Sequence, residues 1–151
     1  MFIHRGNGIF KTEGISIKIP ENCGVGVDGE EFPTEDFDSG SLAILDEKRQ
    51  YWIWWKIYKS DIGTKEELQI VTDEEDTGCK LLSEIEAFEE NGLRGHQAFY
   101  RGSHWNFERV YDLGNGKLMT FFISSEIDIK VLLAKPEIQE LLDNIKLDST
   151  C

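Results

Sequence analysis

The residues of this chain with chemistry beyond packing are few: His4, His96, His104, Cys23, Cys79, Cys151 and the acidic run Asp73-Glu-Glu-Asp76. A zinc site needs closely spaced thiolates or imidazoles. None of the cysteines sits in a C-x-x-C pair. His96 and His104 lie eight apart, on what read as two strands of one hairpin, and alternation sends them to opposite faces. The run 73–76 lacks the spacing and glycine of an EF-hand loop. Cys23 is followed by glycine and has no recognisable base partner. No G-x-S-x-G elbow and no phosphate-cradling P-loop occurs. Gly24-Val-Gly26 and Gly114-Asn-Gly116 read as bare two-glycine turns rather than a dinucleotide loop. No catalytic residue, metal ligand or cofactor is therefore expected.

Binding is the other chemistry available. Residues 51–58 read Tyr-Trp-Ile-Trp-Trp-Lys-Ile-Tyr. Aromatic and β-branched residues dominate, which predicts a strand. Tyr51, Ile53, Trp55 and Ile57 share one face; Trp52, Trp54, Lys56 and Tyr58 share the other. Both faces are largely apolar, so cover on both sides is expected, and as core this strand needs no further role. If cover is incomplete, Trp52, Trp54 and Tyr58 become anchors for a ligand or partner. A second candidate patch is polar. A two-residue turn at Gly102-Ser103 pairs Arg101 with His104 and sets Glu108 on the same face.

The elements that would position these residues can be read along the chain. Ile15, Ile17 and Ile19 alternate with polar residues up to Pro20, a half-buried strand. Residues 21–40 read as a long acidic loop, with a short strand at Gly24–Val27, and Ser41–Leu45 as a further strand. Thr64 and Glu67 match a capping box that opens a short helix through Val71, with Thr64 as the N-cap. Leu81, Leu82, Ile85 and Phe88 recur at helical spacing and predict a helix over 77–90, stopped by Asn91-Gly92. Two hairpin strands follow, then a turn at Gly114-Asn-Gly116 and an apolar strand to Ser124. Residues 125–147 read as helix in two segments, with Ser125 and Asp128 as a capping pair and Pro136 in the first turn of the second.

The chain has 151 residues, 16 Lys+Arg and 29 Asp+Glu, hence a formal charge of −13. That length predicts one α+β domain spanning 1–151, large enough to bury roughly 68–70% of its unfolded surface without a metal or disulfide. The charge opposes nucleic acid and anionic membranes. It is also local. Residues 21–47 carry nine acids and no base, and residues 66–90 carry ten acids and only Lys80. Residues 93–151 carry eight acids and seven bases. No apolar run approaches the ~20 residues of a membrane span. The odd cysteine count and the lack of a leader-like start predict free thiols and a cytoplasmic location, with a secreted or lipoprotein module parted from its leader as the alternative.

Three motifs carry a family resemblance: Gly14-Ile-Ser-Ile-Lys-Ile-Pro20, Asn91-Gly-Leu-Arg-Gly95, and Phe122-Ile-Ser-Ser125 followed by Leu141-Leu-Asp-Asn-Ile-Lys146. With the order of elements they resemble the PsbP-like superfamily, which includes Ran-binding Mog proteins and many small bacterial domains of unknown function. The resemblance implies an antiparallel sheet with helices on both faces, an α/β/α sandwich. It brings no functional motif to particular residues. The function expected from charge, size and missing catalytic motifs is a non-enzymatic interaction protein binding a basic protein, as an immunity or inhibitor protein would. The alternative is a small-molecule or enzymatic pocket beside strand 51–58.

Overall fold

Alternating apolar residues and tight Gly-containing turns decide which segments pair as strands. The computed structural model describes residues 2–5, 9–12, 15–18, 23–27, 41–46 and 51–147. In chain order these form β1 (Phe2–Arg5), β2 (Ile9–Thr12), β3 (Ile15–Lys18), β4 (Cys23–Val27), β5 (Ser41–Asp46) and β6 (Tyr51–Lys59). Then come α1 (Thr64–Val71), α2 (Glu74–Thr77), β7 (Lys80–Leu81), β8 (Glu86–Glu90), β9 (Leu93–Arg101), β10 (Trp105–Gly114) and β11 (Lys117–Ser125). The chain closes with α3 (Ile129–Leu133), α4 (Pro136–Asp143) and β12 (Lys146–Leu147). Nine strands make one sheet in the order β1-β4-β5-β6-β11-β10-β9-β7, with β8 also pairing β9. A second sheet runs β12-β3-β2. Every pairing is antiparallel.

β6 alternates as its sequence requires. Tyr51, Ile53, Trp55 and Ile57 are buried, while Trp52, Trp54 and Tyr58 are half-buried and Lys56 is exposed. The first face joins Phe107, Tyr111, Met119 and Phe121 in a core closed by Ile129 and Leu132 of α3 and Ile138 and Leu141 of α4. The second face carries a smaller cluster of Leu68 from α1 with Ala98, Tyr100, Val110 and Leu118. At Gly95 the two inner strands of the meander nearly touch. A Cβ there would stand 1.8 Å from the carbonyl oxygen of Val110.

The expected α/β/α sandwich does not form; the fold is mostly antiparallel sheet. Among the described residues its helices are eight, four, five and eight residues long. Eight residues rise only about 12 Å, enough to cover a patch of two or three strands rather than to lay a layer. Part of the sequence expected to be helical is strand, while 64–71, 129–133 and 136–143 are helix as expected. Residues 77–90 supply β7 and β8, and the final turn of the expected closing helix is β12.

Three local expectations also change. Gly63, not Thr64, is the N-cap of α1, and no side chain caps it. The β9–β10 connection is a three-residue loop, 102–104, so Trp105 pairs with Arg101 and the register moves by one. Such a slip exchanges the faces of a whole strand. Finally, Gly24-Val-Gly26 is not a two-glycine turn: although Gly24-Val-Gly-Val-Asp-Gly29 spells the dinucleotide-loop spacing, its first four residues lie inside antiparallel β4, whereas that loop sets its glycines in the turn after a strand. The rest of the expected acidic loop over 21–40 lies outside the described residues. No helix among the described residues is long and apolar enough to cross a membrane.

Candidate functional site

The β9–β10 register brings together two polar residues. Ala98 faces Glu108 and Tyr100 faces Asn106, so Tyr100 and Glu108 are diagonal neighbours on one face. The Tyr100 hydroxyl donates to Glu108 Oε1 at 2.8 Å. Glu108 is only 5% exposed. Burial pushes its carboxyl up to about 7; the Tyr100 hydrogen bond opposes this, and the nearby charge of Glu67 adds to it. Burial likewise raises the Tyr100 hydroxyl above its ordinary value, reinforced by Glu108.

Helix α1 carries Glu67 over this face. Ser60 Oγ donates to Glu67 Oε1 at 3.0 Å. The hydroxyls of Tyr58 and Thr120 lie 2.8 Å apart. Burial pushes Tyr58 up to about 12; the Thr120 bond works against that, and Glu67 and Glu108 add to it. The result is a small buried polar group under α1 whose central carboxyl can hold or release a proton near neutral pH. Beside it, Thr64 Oγ1 meets His96 Nδ1 at 2.7 Å, which spends the first hydroxyl of α1 on fixing an imidazole.

The sequence candidates divide. Trp52 and His104 come together, ring centroids 5.6 Å apart and nearly perpendicular. Trp54 packs on Phe122 at 5.5 Å. Tyr58 belongs to the polar group under α1. Arg101 leaves this set: after the one-residue slip it sits over the Trp105 ring, 4.2 Å from the centroid, on the opposite face of the sheet. The polar patch of Arg101, His104 and Glu108 therefore does not form, and Glu108 is buried instead. Sequence reasoning missed the Tyr100–Glu108 pair because the assumed two-residue turn put those residues on different faces. The signal that could have found it is the diagonal spacing across a three-residue loop.

Three clefts border the described surface, and Trp52 and Trp54 line none of these three. One of about 660 Å³ lies among Thr64, Ala87, Glu89, Arg94, His96 and Asp112. One of about 510 Å³ separates α1 from the β7–β8 segment, between Asp73, Leu81, Glu84 and Ile85. The smallest, about 310 Å³, is a polar notch at Lys59, Asp61 and Asn115.

No protein-family model matches the sequence, and no curated protein matches it. A crystal structure of a protein from Bacteroides thetaiotaomicron VPI-5482 aligns with 97% of this chain and 50% of its own, at 13% identity and a TM-score of 0.49. This chain thus spans about half the length of that protein.

Proposed function

We propose that this chain is a non-enzymatic interaction protein whose acidic surface binds a basic protein, as an immunity or inhibitor protein does. One observation carries the reading. Glu66, Asp73, Glu75, Glu84, Glu86, Glu89 and Glu90 are all exposed on α1, the start of α2 and the β7–β8 segment, and Ile70 and Leu82 stand among them at 59% and 45% exposure. Charge alone would describe a solvated face. Large apolar side chains set within it give a partner something to bury, while the acids steer its approach. The free, half-buried thiol of Cys79 fits a reducing compartment and so a cytoplasmic location. The test is affinity capture from the native host at about 0.05 M and about 0.5 M salt, a range over which exposed charge pairs become screened. A basic partner released at the higher salt is the expected result. An acidic partner, or one retained equally at both, would overturn the reading.

The second reading, a small-molecule or enzymatic pocket beside strand 51–58, is supported by the polar groups gathered on the α1 face of the sheet, where Tyr58 of that strand bonds Thr120 and Tyr100 donates to the buried Glu108. A thermal-shift screen against pooled metabolites separates the two. Stabilisation by a compound in wild type that disappears in Glu108→Gln favours the pocket.

A further inference from the structure

We infer that β8 is a docking edge on which an extended, basic segment of a protein partner adds as a further antiparallel strand. This rests on the acidic-interaction reading and specifies how the partner is held.

The backbone comes first. The β8–β9 hairpin closes through Asn91 and Gly92, both at positive φ (53° and 80°), with Glu90 paired to Leu93. Two positive φ values in a two-residue loop are the type I′ turn, whose flanking pair is hydrogen-bonded. Alternation along the antiparallel ladder then turns the N–H and C=O of Phe88 and Glu86 inward to Gly95 and Gln97. The same alternation turns the N–H and C=O of Ala87 and Glu89 away from β9. Among the described residues β8 pairs only with β9, and Ala87 and Glu89 are exposed. A row of outward donors and acceptors on an edge strand is a template for another strand.

The edge is held in place before any partner arrives. Phe88 meets Tyr111 edge-on at 5.1 Å, and the Arg109 guanidinium lies 4.6 Å from the Phe88 ring centroid. Arg109 also donates to Glu90 at 3.0 Å, and the Asn91 amide donates to the Asp143 carbonyl at 2.7 Å. Little ordering is left to oppose binding.

Charge selects the occupant. Glu86, Glu89 and Glu90 are exposed along β8, so a second copy of this chain would set glutamate against glutamate. Lysine or arginine on an added strand reverses that sign. The 660 Å³ cleft opens on the side of β8 where Ala87 and Glu89 lie, and Asp112 lines it further in. Alternate side chains of an added strand would enter it. Arg94 stands between Glu89 and Asp112 in register but forms no ion pair among the described residues, and while Asp112 Oδ1 accepts the Gly114 N–H at 2.8 Å, the exposed Glu89 carboxylate is open to a partner's base.

The probe is a capped peptide of alternating Lys and Val, about seven residues long to match a typical strand. It is titrated into the isotope-labelled full chain while amide hydrogen exchange is followed by NMR. The amides of Ala87 and Glu89 should slow about tenfold or more at saturation, and affinity should fall with salt. Ala87→Pro removes an outward N–H and keeps the inward ladder, so it should fold and lose about tenfold or more in affinity. Glu89→Lys should lose a similar factor. If Ala87→Pro fails to fold, protection in the wild-type chain decides. Salt-sensitive binding that leaves both amides unprotected overturns the docking edge and leaves the acidic reading standing. No binding of this peptide or of polylysine at low salt overturns the acidic reading itself.

Discussion

Glu108→Gln turns the buried carboxyl under α1 into a measurable quantity. A carboxyl whose pKa is higher in the folded chain binds its proton more tightly there. The stability this adds is complete below the unfolded value of 4.5 and is lost as pH rises through about 7. The difference, 7 − 4.5 = 2.5 units, corresponds to about 3 kcal/mol. Glutamine keeps the shape, still accepts the Tyr100 hydroxyl and does not titrate. The variant should therefore gain about 3 kcal/mol on wild type between pH 4.5 and pH 8. For a chain of this length that is a relative rise in melting temperature of roughly 6–12 °C. Thermal unfolding by circular dichroism at the two pH values reads the gain directly. Parallel wild-type and variant stability across this range would refute the argument, because it would mean that Glu108 is ionised at no cost in the fold.

Three further outcomes follow from the same structure. Gly95→Ala drives a methyl into the Val110 carbonyl, so β9 and β10 must part, and the loss should be about 3 kcal/mol or more by urea denaturation. Asn91→Ala keeps a residue at φ 53° without the amide that reaches Asp143 and Ile145, and should cost about 1–2 kcal/mol in the same assay. Arg109→Ala strips the nearly buried guanidinium from Gln97, Glu90 and the rings of Phe88 and Phe107. The expected loss is about 3 kcal/mol, with faster amide exchange along β8.

Strand β6 was legible because period-2 alternation is strong and its aromatic residues tolerate little else. The turn at 114–116, helix α1 and Pro136 at the start of α4 were legible for equally local reasons. The segment 77–90 was not. Leu81, Leu82, Ile85 and Phe88 match a helical face, and the glutamates between them are weak strand formers. Asn91-Gly92 serves as a helix stop and as a hairpin turn, and only the partner strand chooses between them. Pairing with β9, with Phe88 over Gly95, overrides local propensity. The Tyr100–Glu108 pair was hidden by a single residue, since His104 belongs to the loop rather than to the strand. Local sequence signals a turn well and its length poorly.

The position of β6 has a consequence for biosynthesis. Its main partner is β11, which pairs Tyr51 with Ser125, so the most aromatic strand is translated long before the strand that covers its flank. The meander β8–β11 has only short connections and should assemble first, with β6 docking late. Until then Trp52, Trp54 and Trp55 stand on a nascent chain with β5 as the neighbour available. The charged residues flanking that stretch, Asp46 to Arg49 before it and Lys59 and Asp61 after it, then act as solubilising gatekeepers for an unfinished sheet. Pulse-labelled hydrogen exchange during refolding would show late protection of β6 amides. Protection of β6 before β9 and β10 would exclude this order of assembly.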